Sequence, residues 1–199
     1  ADLAATMGKS RKEISALTED QKRLGASTKF TATEVAGLQK EYAKLGFSQT
    51  EILNATEATL SLAAAVETDL ANASMVAGST LRGFGLDASE MGRVVDVMAK
   101  SFTSSALDIE NFRESMKYVA PIAKASGVSI EFTTAMLGKL ADAGIKGSQA
   151  GTSLRRILAE MAKTGKPASQ ALDEVAKSGI SVNDAMDEVG RTAQTALLV

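Results

Sequence analysis

Cysteine, histidine and tryptophan are all missing from this 199-residue chain. Without cysteine there is no disulfide, and without cysteine and histidine there is no thiolate or imidazole metal site. The Ser-His and Cys-His pairs that activate nucleophiles are excluded as well. We therefore expect neither a cofactor nor a metal, and we expect a protein that is not an enzyme.

Aromatic residues and net charge are also scarce. The chain has six Phe and two Tyr, and its 22 basic and 24 acidic residues give a formal net charge of -2. A nearly neutral, mixed surface gives no overall attraction to nucleic acid, so we expect no specific nucleic-acid partner. A hydrophobic content of 45% with few aromatics is typical of helices packed through small residues.

No hydrophobic run approaches the length needed to cross a bilayer, and the nearest candidate, 60–66, is flanked by Glu57, Glu67 and Asp69. The chain also begins at Ala1, without an initiator Met or a targeting signal. We expect it to be a piece of a longer protein.

The first 29 residues have a heptad pattern. Four apolar residues occupy its a and d positions, with charged residues around them: Met7, Ile14, Leu17 and Leu24. This spacing predicts one helix over 3–24 that forms either a coiled-coil seam between copies of the chain or an ordinary solvated helix. We treat 1–29 as a separate N-terminal segment.

One phrase recurs from residue 46 onward: a glycine, an apolar residue, a capping residue and, in three of four cases, an acid three positions later. The glycine suits the end of one helix, and the polar residue suits the start of the next. The predicted caps are Ser48, Asp87, Ser129 and Ser181.

Between these caps, apolar residues recur at steps of three and four, and no stretch alternates with period two. The sequence predicts an all-α bundle of about eight to ten helices, with a core module at 30–166 and short C-terminal helices at 167–199. Pro121 should kink or split its helix. The predicted helices after the first are 32–44, 48–65, 67–83, 88–103, 109–125, 129–143, 148–164, 168–177 and 182–197.

Three glycines, Gly144, Gly147 and Gly151, lie close together in an otherwise helical region. Glycine inside a helix costs about 0.5–1 kcal/mol relative to alanine, so each needs a structural reason. We predict a tight turn and then a helix that packs against a neighbour at close range. The helix start at Gly147 also offers free amides to an anion, but every helix start does so.

Carboxylate pairs such as Asp108/Glu110 could in principle act as an acid and a base. They lie near predicted helix starts, where solvation and the helix dipole account for them. Gly8-Lys9-Ser10 ends like a phosphate-binding loop but lacks the upstream glycine and the preceding strand.

Six segments, taken together and in order, resemble the core region of phage tail tape-measure proteins. They cover roughly residues 30 to 165, and none of them is diagnostic alone. They are 45–52 (LGFSQTEI), 63–65 (AAA), 84–90 (FGLDASE), 95–98 (VDVM), 118–123 (YVAPIA) and 143–154 (AGIKGSQAGTSL).

The resemblance implies a structural role in a tailed phage or prophage. Members of this family occupy the tail lumen, set tail length, nucleate the tube with assembly chaperones and leave the tail during DNA ejection. The expected partners are therefore the tube protein, the chaperones, the tail tip and possible further copies of the chain. The expected locations are the lumen of the virion tail and, during assembly, the host cytoplasm.

Two alternatives from other classes are open at this point. A helical segment rich in alanine and glycine could enter a bilayer during ejection, which is the only stage at which membrane contact is expected. Some tape-measure chains also carry wall-degrading domains, although the missing His and Cys argue against one here.

Overall fold

The structure is a computed structural model that describes residues 2–163. That range contains nine α-helices, one 3₁₀ turn and no strand, which confirms the all-α prediction. The helices are α1 (Asp2–Met7), α2 (Ser15–Ser27), α3 (Ala32–Lys44), α4 (Gln49–Ala65), α5 (Leu70–Phe84), α6 (Met91–Ser104), α7 (Ile109–Ala125), α8 (Ile130–Asp142) and α9 (Gly147–Lys163). The 3₁₀ turn, Ala88–Glu90, directly precedes α6.

Two compact units divide the chain: unit 1, Ala1–Ala99, and unit 2, which begins at Lys100. The boundary falls within α6. We predicted a different division, with 1–29 separate from 30–166. Because α2 packs against α3 and α4, the first 29 residues belong to unit 1 instead.

Unit 1 is organised around α3, which contacts α1, α2, α4 and α5. Apolar residues at steps of three and four give α3 one buried face, as the sequence pattern predicts. Burying a large aliphatic side chain contributes about 1.5–3 kcal/mol. Among the fully buried residues of this core are Leu17, Leu24, Val35, Leu38, Tyr42, Ile52, Leu62 and Leu81.

Unit 2 is organised around α7, which packs most extensively against α9, while α8 contacts both. The ring of Phe102 meets Phe112 edge-on, with 5.4 Å between the ring centroids. Among the buried residues of this core are Phe112, Val119, Ala123, Ile130, Met136, Leu137, Leu154 and Leu158.

The predicted single helix over 3–24 is wrong. The helix α1 ends at Met7, and Gly8 follows with φ of +62°, a left-handed conformation that glycine adopts without strain. The backbone NH of Ser10 then donates to the carboxylate of Glu13 at 2.8 Å, and α2 begins at Ser15. Two helices joined by a turn therefore replace the continuous heptad.

Two further expectations concern the extent of single helices. Pro121 does not split α7, which continues to Ala125. Pro121 and Lys117, the residue one turn earlier whose carbonyl loses its donor, are both exposed, so water can satisfy that carbonyl. The helix predicted to begin at residue 67 begins at Leu70 instead, because Asp69 is the cap of α5. The predicted helices 168–177 and 182–197 and the cap Ser181 lie outside the described residues.

Candidate functional site

The three clustered glycines form the connection between α8 and α9. Gly144 has φ of +84°, its NH donates to the carbonyl of Ala141 at 2.9 Å, and Gly147 opens α9 with φ of +57°. The NH of Ile145 donates to the carbonyl of Leu140 at 2.8 Å, which closes the end of α8. The structure therefore contains a tight turn at the position where the sequence predicts one.

Gly151 lies where α9 crosses α7. A Cβ atom at this position would be 2.4 Å from the carbonyl oxygen of Ser115, 2.8 Å from its Cα and 2.9 Å from its carbonyl carbon. All three neighbours are backbone atoms, which cannot move without shifting α7. Only glycine allows the two helix backbones to approach this closely.

The side chain of Ser115 completes this crossing. Its Oγ lies 2.7 Å from the carbonyl oxygen of Gly147 and 2.8 Å from that of Asn111. Ser115 is fully buried, so a hydrogen-bond partner for its hydroxyl is required. The start of α9 is thus held against the middle of α7 by the hydrogen bond between Ser115 and Gly147 and by the close contact of Gly151 with Ser115.

Unit 1 has a crossing of a different kind between α3 and α5. A Cβ on Gly78 of α5 would lie 2.6 Å from Leu45 Cδ1 and 2.9 Å from Tyr42 Cε1, which are side-chain atoms. Tyr42 is fully buried, and its hydroxyl bonds to that of Thr59 in α4. Burial raises the pKa of Tyr42, so the phenol stays neutral. The sequence analysis missed this residue, although Val35, Leu38 and Tyr42 share one helical face.

The predicted caps in the described range all lie at helix starts. The Ser48 hydroxyl accepts from the NH of Glu51 at 3.3 Å, and the Glu51 carboxylate accepts from the NH of Ser48 at 2.7 Å. Asp87 and Glu90 form the same reciprocal arrangement before α6. Ser129 accepts from the NH of Phe132 but has no acidic partner.

Further caps were not predicted. Thr31 and Glu34 form a capping box at α3, while Asp69 and Asp108 cap α5 and α7. Burial alone would raise the pKa of Asp108, but hydrogen bonds from Asn111 and Glu110 outweigh it and lower that pKa. In each case the sequence shows a polar residue directly before an apolar helical pattern, and this pattern indicates a helix cap.

The predicted seam between copies of the chain is not exposed in this structure. Ile14, Leu17 and Leu24 are buried within unit 1, and Met7 is half-buried. The heptad spacing is genuine, but α3 and α4 of the same chain pack against α2. The spacing could not tell a partner copy from the chain's own helices.

The carboxylates considered for catalysis have structural positions instead. Asp108 caps α7, and the Glu110 carboxylate pairs with Arg113 at 2.8 Å. Among residues 2–163 no cluster of acidic residues could hold a metal ion. No helix in the same range is long and apolar enough to span a membrane. In the part of the chain that the structure describes, these polar groups cap helices and pair charges.

Comparison with known proteins gives a match along nearly the whole chain. The family described as phage-related minor tail protein matches residues 3–198. The chain belongs to this family. As a phage-related minor tail protein it is a structural component of a phage tail, and both the glycine crossing and the buried Tyr42 lie within the matched range.

Two curated relatives are tape-measure proteins. The tape measure protein of Pneumococcus phage Dp-1 is 42% identical over 162 residues, and the probable tape measure protein of Escherichia phage P2 is 37% identical over 169 residues. These matches cover 81% and 83% of this minor tail protein chain but only 14% and 21% of the relatives. No solved structure matches the chain.

Proposed function

We propose that this chain is a folded helical module of a tape-measure protein that contributes to tail assembly, tail length determination and DNA ejection through protein contacts. The observation that carries the proposal is the match of more than four-fifths of the chain to a small part of two tape-measure proteins.

The packing of each unit supports an anchoring role over a measuring role. An α-helix rises 1.5 Å per residue, so a helix of 17 residues such as α4 spans only about 25 Å. In unit 1 the chain then turns back so that α4 and α5 both pack on α3. A chain that folds back spans a shorter length per residue than an extended helix does. We infer that length is measured by extended segments elsewhere in such proteins.

The proposed partners are other tail proteins, namely the tube protein, the assembly chaperones and the tail tip, and the proposed location is the tail lumen. Two large apolar side chains remain exposed among the described residues, one in each unit, and they are the first positions at which to test such contacts: Met75 of α5 at 38% and Tyr118 of α7 at 41%.

The test is a replacement that keeps the number of residues constant. In a phage that encodes this chain, residues 2–163 are exchanged for an unrelated helical segment of equal length. We expect few assembled tails and low infectivity, because the binding surfaces are gone while the length of the chain is unchanged. Normal numbers of infectious tails would contradict the proposal. The single substitution Gln149→Ala, at an exposed position that leaves Met75 and Tyr118 in place, serves as the control.

A further inference from the structure

A buried polar cluster joins α2 to α3. Gln39 of α3 is fully buried, and its side-chain amide has a partner on both sides. Its Nε2 donates to Asp20 Oδ2 at 3.0 Å, and its Oε1 accepts from Gln21 Nε2 at 2.8 Å. Asp20 is also buried, and its other carboxylate oxygen accepts from Arg23 at 2.7 Å. We call Asp20, Gln21 and Gln39 the amide cluster.

Buried hydroxyls elsewhere in unit 1 differ from the amide cluster. Thr56 donates to the carbonyl of Ile52 at 2.6 Å, and Ser74 donates to the carbonyl of Ala71 at 2.9 Å. Each of these bonds lies within one helix, so it forms whichever helix packs alongside. The hydrogen bonds of Gln39 form only when α2 lies on α3 in this register.

Gln39 occupies a position that an apolar residue would fit. It lies on the buried face of α3 with Val35, Leu38 and Tyr42, where a leucine would be buried without desolvating an amide. A buried polar pair often lowers stability relative to well-packed apolar residues, and its best documented use is to fix register and partner choice. The glutamine therefore requires a reason other than stability.

The alternative neighbour of α2 is the α2 helix of a second copy. The apolar residues of α2 and of the residue before it keep the heptad spacing of a seam: Ile14, Leu17 and Leu24. In a parallel pair of such helices, Asp20 would face Gly25 of the other copy across the seam. Glycine has no side chain that could donate, so Asp20 would lose the hydrogen bond that Gln39 supplies.

We propose that the amide cluster selects α3 of the same chain, and not a second copy, as the neighbour of α2. Asp20 and Gln21 both bond to Gln39 only in the pair of α2 with α3, so the cluster favours that pair. While the cluster is intact, α2 makes no contact between copies. Once the cluster is lost, the seam residues become available to a second copy.

A substitution that reverses one hydrogen bond tests this selection. Gln39→Glu sets a second carboxylate against Asp20, where the parent chain has a donor and an acceptor 3.0 Å apart. We expect the backbone amides of α2 to exchange at least about tenfold faster than in the parent, because breaking a buried polar pair is strongly destabilising. Hydrogen exchange of the full chain, followed by mass spectrometry, measures the change.

Two further variants separate the cluster from a general loss of folding. Asp20→Asn combined with Gln39→Glu restores a donor opposite an acceptor without changing the net charge, so α2 should again be protected as in the parent. Gln149→Glu makes the same chemical change at an exposed position of unit 2 and should leave α2 unaffected. Unchanged exchange in Gln39→Glu, or no recovery in the double variant, would overturn the proposal.

Light scattering across a concentration series tests the choice between neighbours. The mass of Gln39→Glu should exceed that of the parent and rise with concentration, whereas the double variant should keep the parent's mass. Adding Leu17→Lys to Gln39→Glu should abolish the increase, because a charge in the seam opposes pairing. An α2 helix that is released without any increase in mass would contradict the proposal, since the cluster would then hold α2 without selecting its neighbour. An increase that survives Leu17→Lys would contradict it as well.

Discussion

Two helices approach each other closely beside a glycine at two places, where α3 crosses α5 and where α7 crosses α9. The atoms that contact the glycine differ between the two crossings. In unit 1 a large side chain, Tyr42, fills the space beside Gly78 and bonds to Thr59. In unit 2 no large side chain intervenes, and the backbone of Ser115 lies directly against Gly151. One crossing depends on side chains that can adjust, and the other depends on backbone that cannot.

This difference predicts unequal tolerance to one added methyl group. A side-chain contact can relax by rotation, whereas a backbone contact relaxes only if a whole helix moves. The following predictions test the contrast in order of decreasing effect.

Gly151→Ala should have the largest effect, a loss of about 3 kcal/mol in the free energy of unfolding, because its Cβ would overlap the Ser115 backbone. Urea denaturation followed by circular dichroism measures the change. Gln149→Ala, at an exposed position of the same helix, is the matched control and should stay within about 0.5 kcal/mol of the parent.

Gly78→Ala should cost less, about 1–2 kcal/mol, since Leu45 Cδ1 is the end of a flexible side chain, although the Tyr42 ring is fixed by burial. The same denaturation experiment applies. Gly37→Ala is the control, since its Cβ meets no atom within 4 Å and alanine favours the helix. If Gly78→Ala and Gly151→Ala lowered the free energy of unfolding by the same amount, the distinction between the two crossings would be contradicted.

Substitutions in the connections before α5 and α9 should change the stability of the chain in opposite directions. Glu67 has φ of +52°, a left-handed conformation that is strained for a residue with a Cβ, so Glu67→Gly should stabilise the chain by about 1 kcal/mol. Gly144→Ala should destabilise it by a similar amount, because φ is +84° there and the Cβ meets open space. Melting temperatures of both variants against the parent check the signs.

The smallest effect concerns the pH dependence of the caps on α4 and α8. The backbone hydrogen bond from Ser48 lowers the pKa of Glu51 below its ordinary 4.5. A lowered folded-state pKa means that the stabilisation is present above the unfolded pKa and is lost as pH falls through the folded one. Acidification below about 4.5 should therefore weaken the start of α4.

Hydrogen exchange of first-turn amides in α4 and α8 measures this contrast. The cap of α8 has no acidic partner for Ser129, so its first turn should respond less to acid. Glu51→Gln is the control, because glutamine retains the acceptor but does not titrate in this range. Persistence of the acid response of α4 in Glu51→Gln would assign it to another group.

The local features of the fold were predictable from sequence for a physical reason. Apolar spacing and capping chemistry act within a few residues, so the positions of α3, α4 and α7 and the cap at Ser48 follow from short segments. The glycine turn at Gly144 also follows, because few other residues adopt its φ without strain.

The tertiary features were less predictable. The spacing of Ile14, Leu17 and Leu24 is the same whether the covering helix comes from a second copy or from the same chain, so the spacing alone left both alternatives open, and in this structure the three residues are buried within unit 1. The contact partner of Gly151 and the burial of Tyr42 likewise depend on which helices cross. Such crossings bring together residues far apart in the chain, and no local pattern specifies them.

The central claim is that the fold of this module, and not its number of residues, supports the tail. The most direct measurement is the number of complete tails in electron micrographs and the plaque titre of a phage encoding Gly151→Ala, compared with Gln149→Ala. Both phages are grown at a temperature at which the purified Gly151→Ala chain is unfolded and the control is folded. The account predicts few complete tails and a low titre for Gly151→Ala alone. Equal numbers of infectious tails from both phages would contradict it.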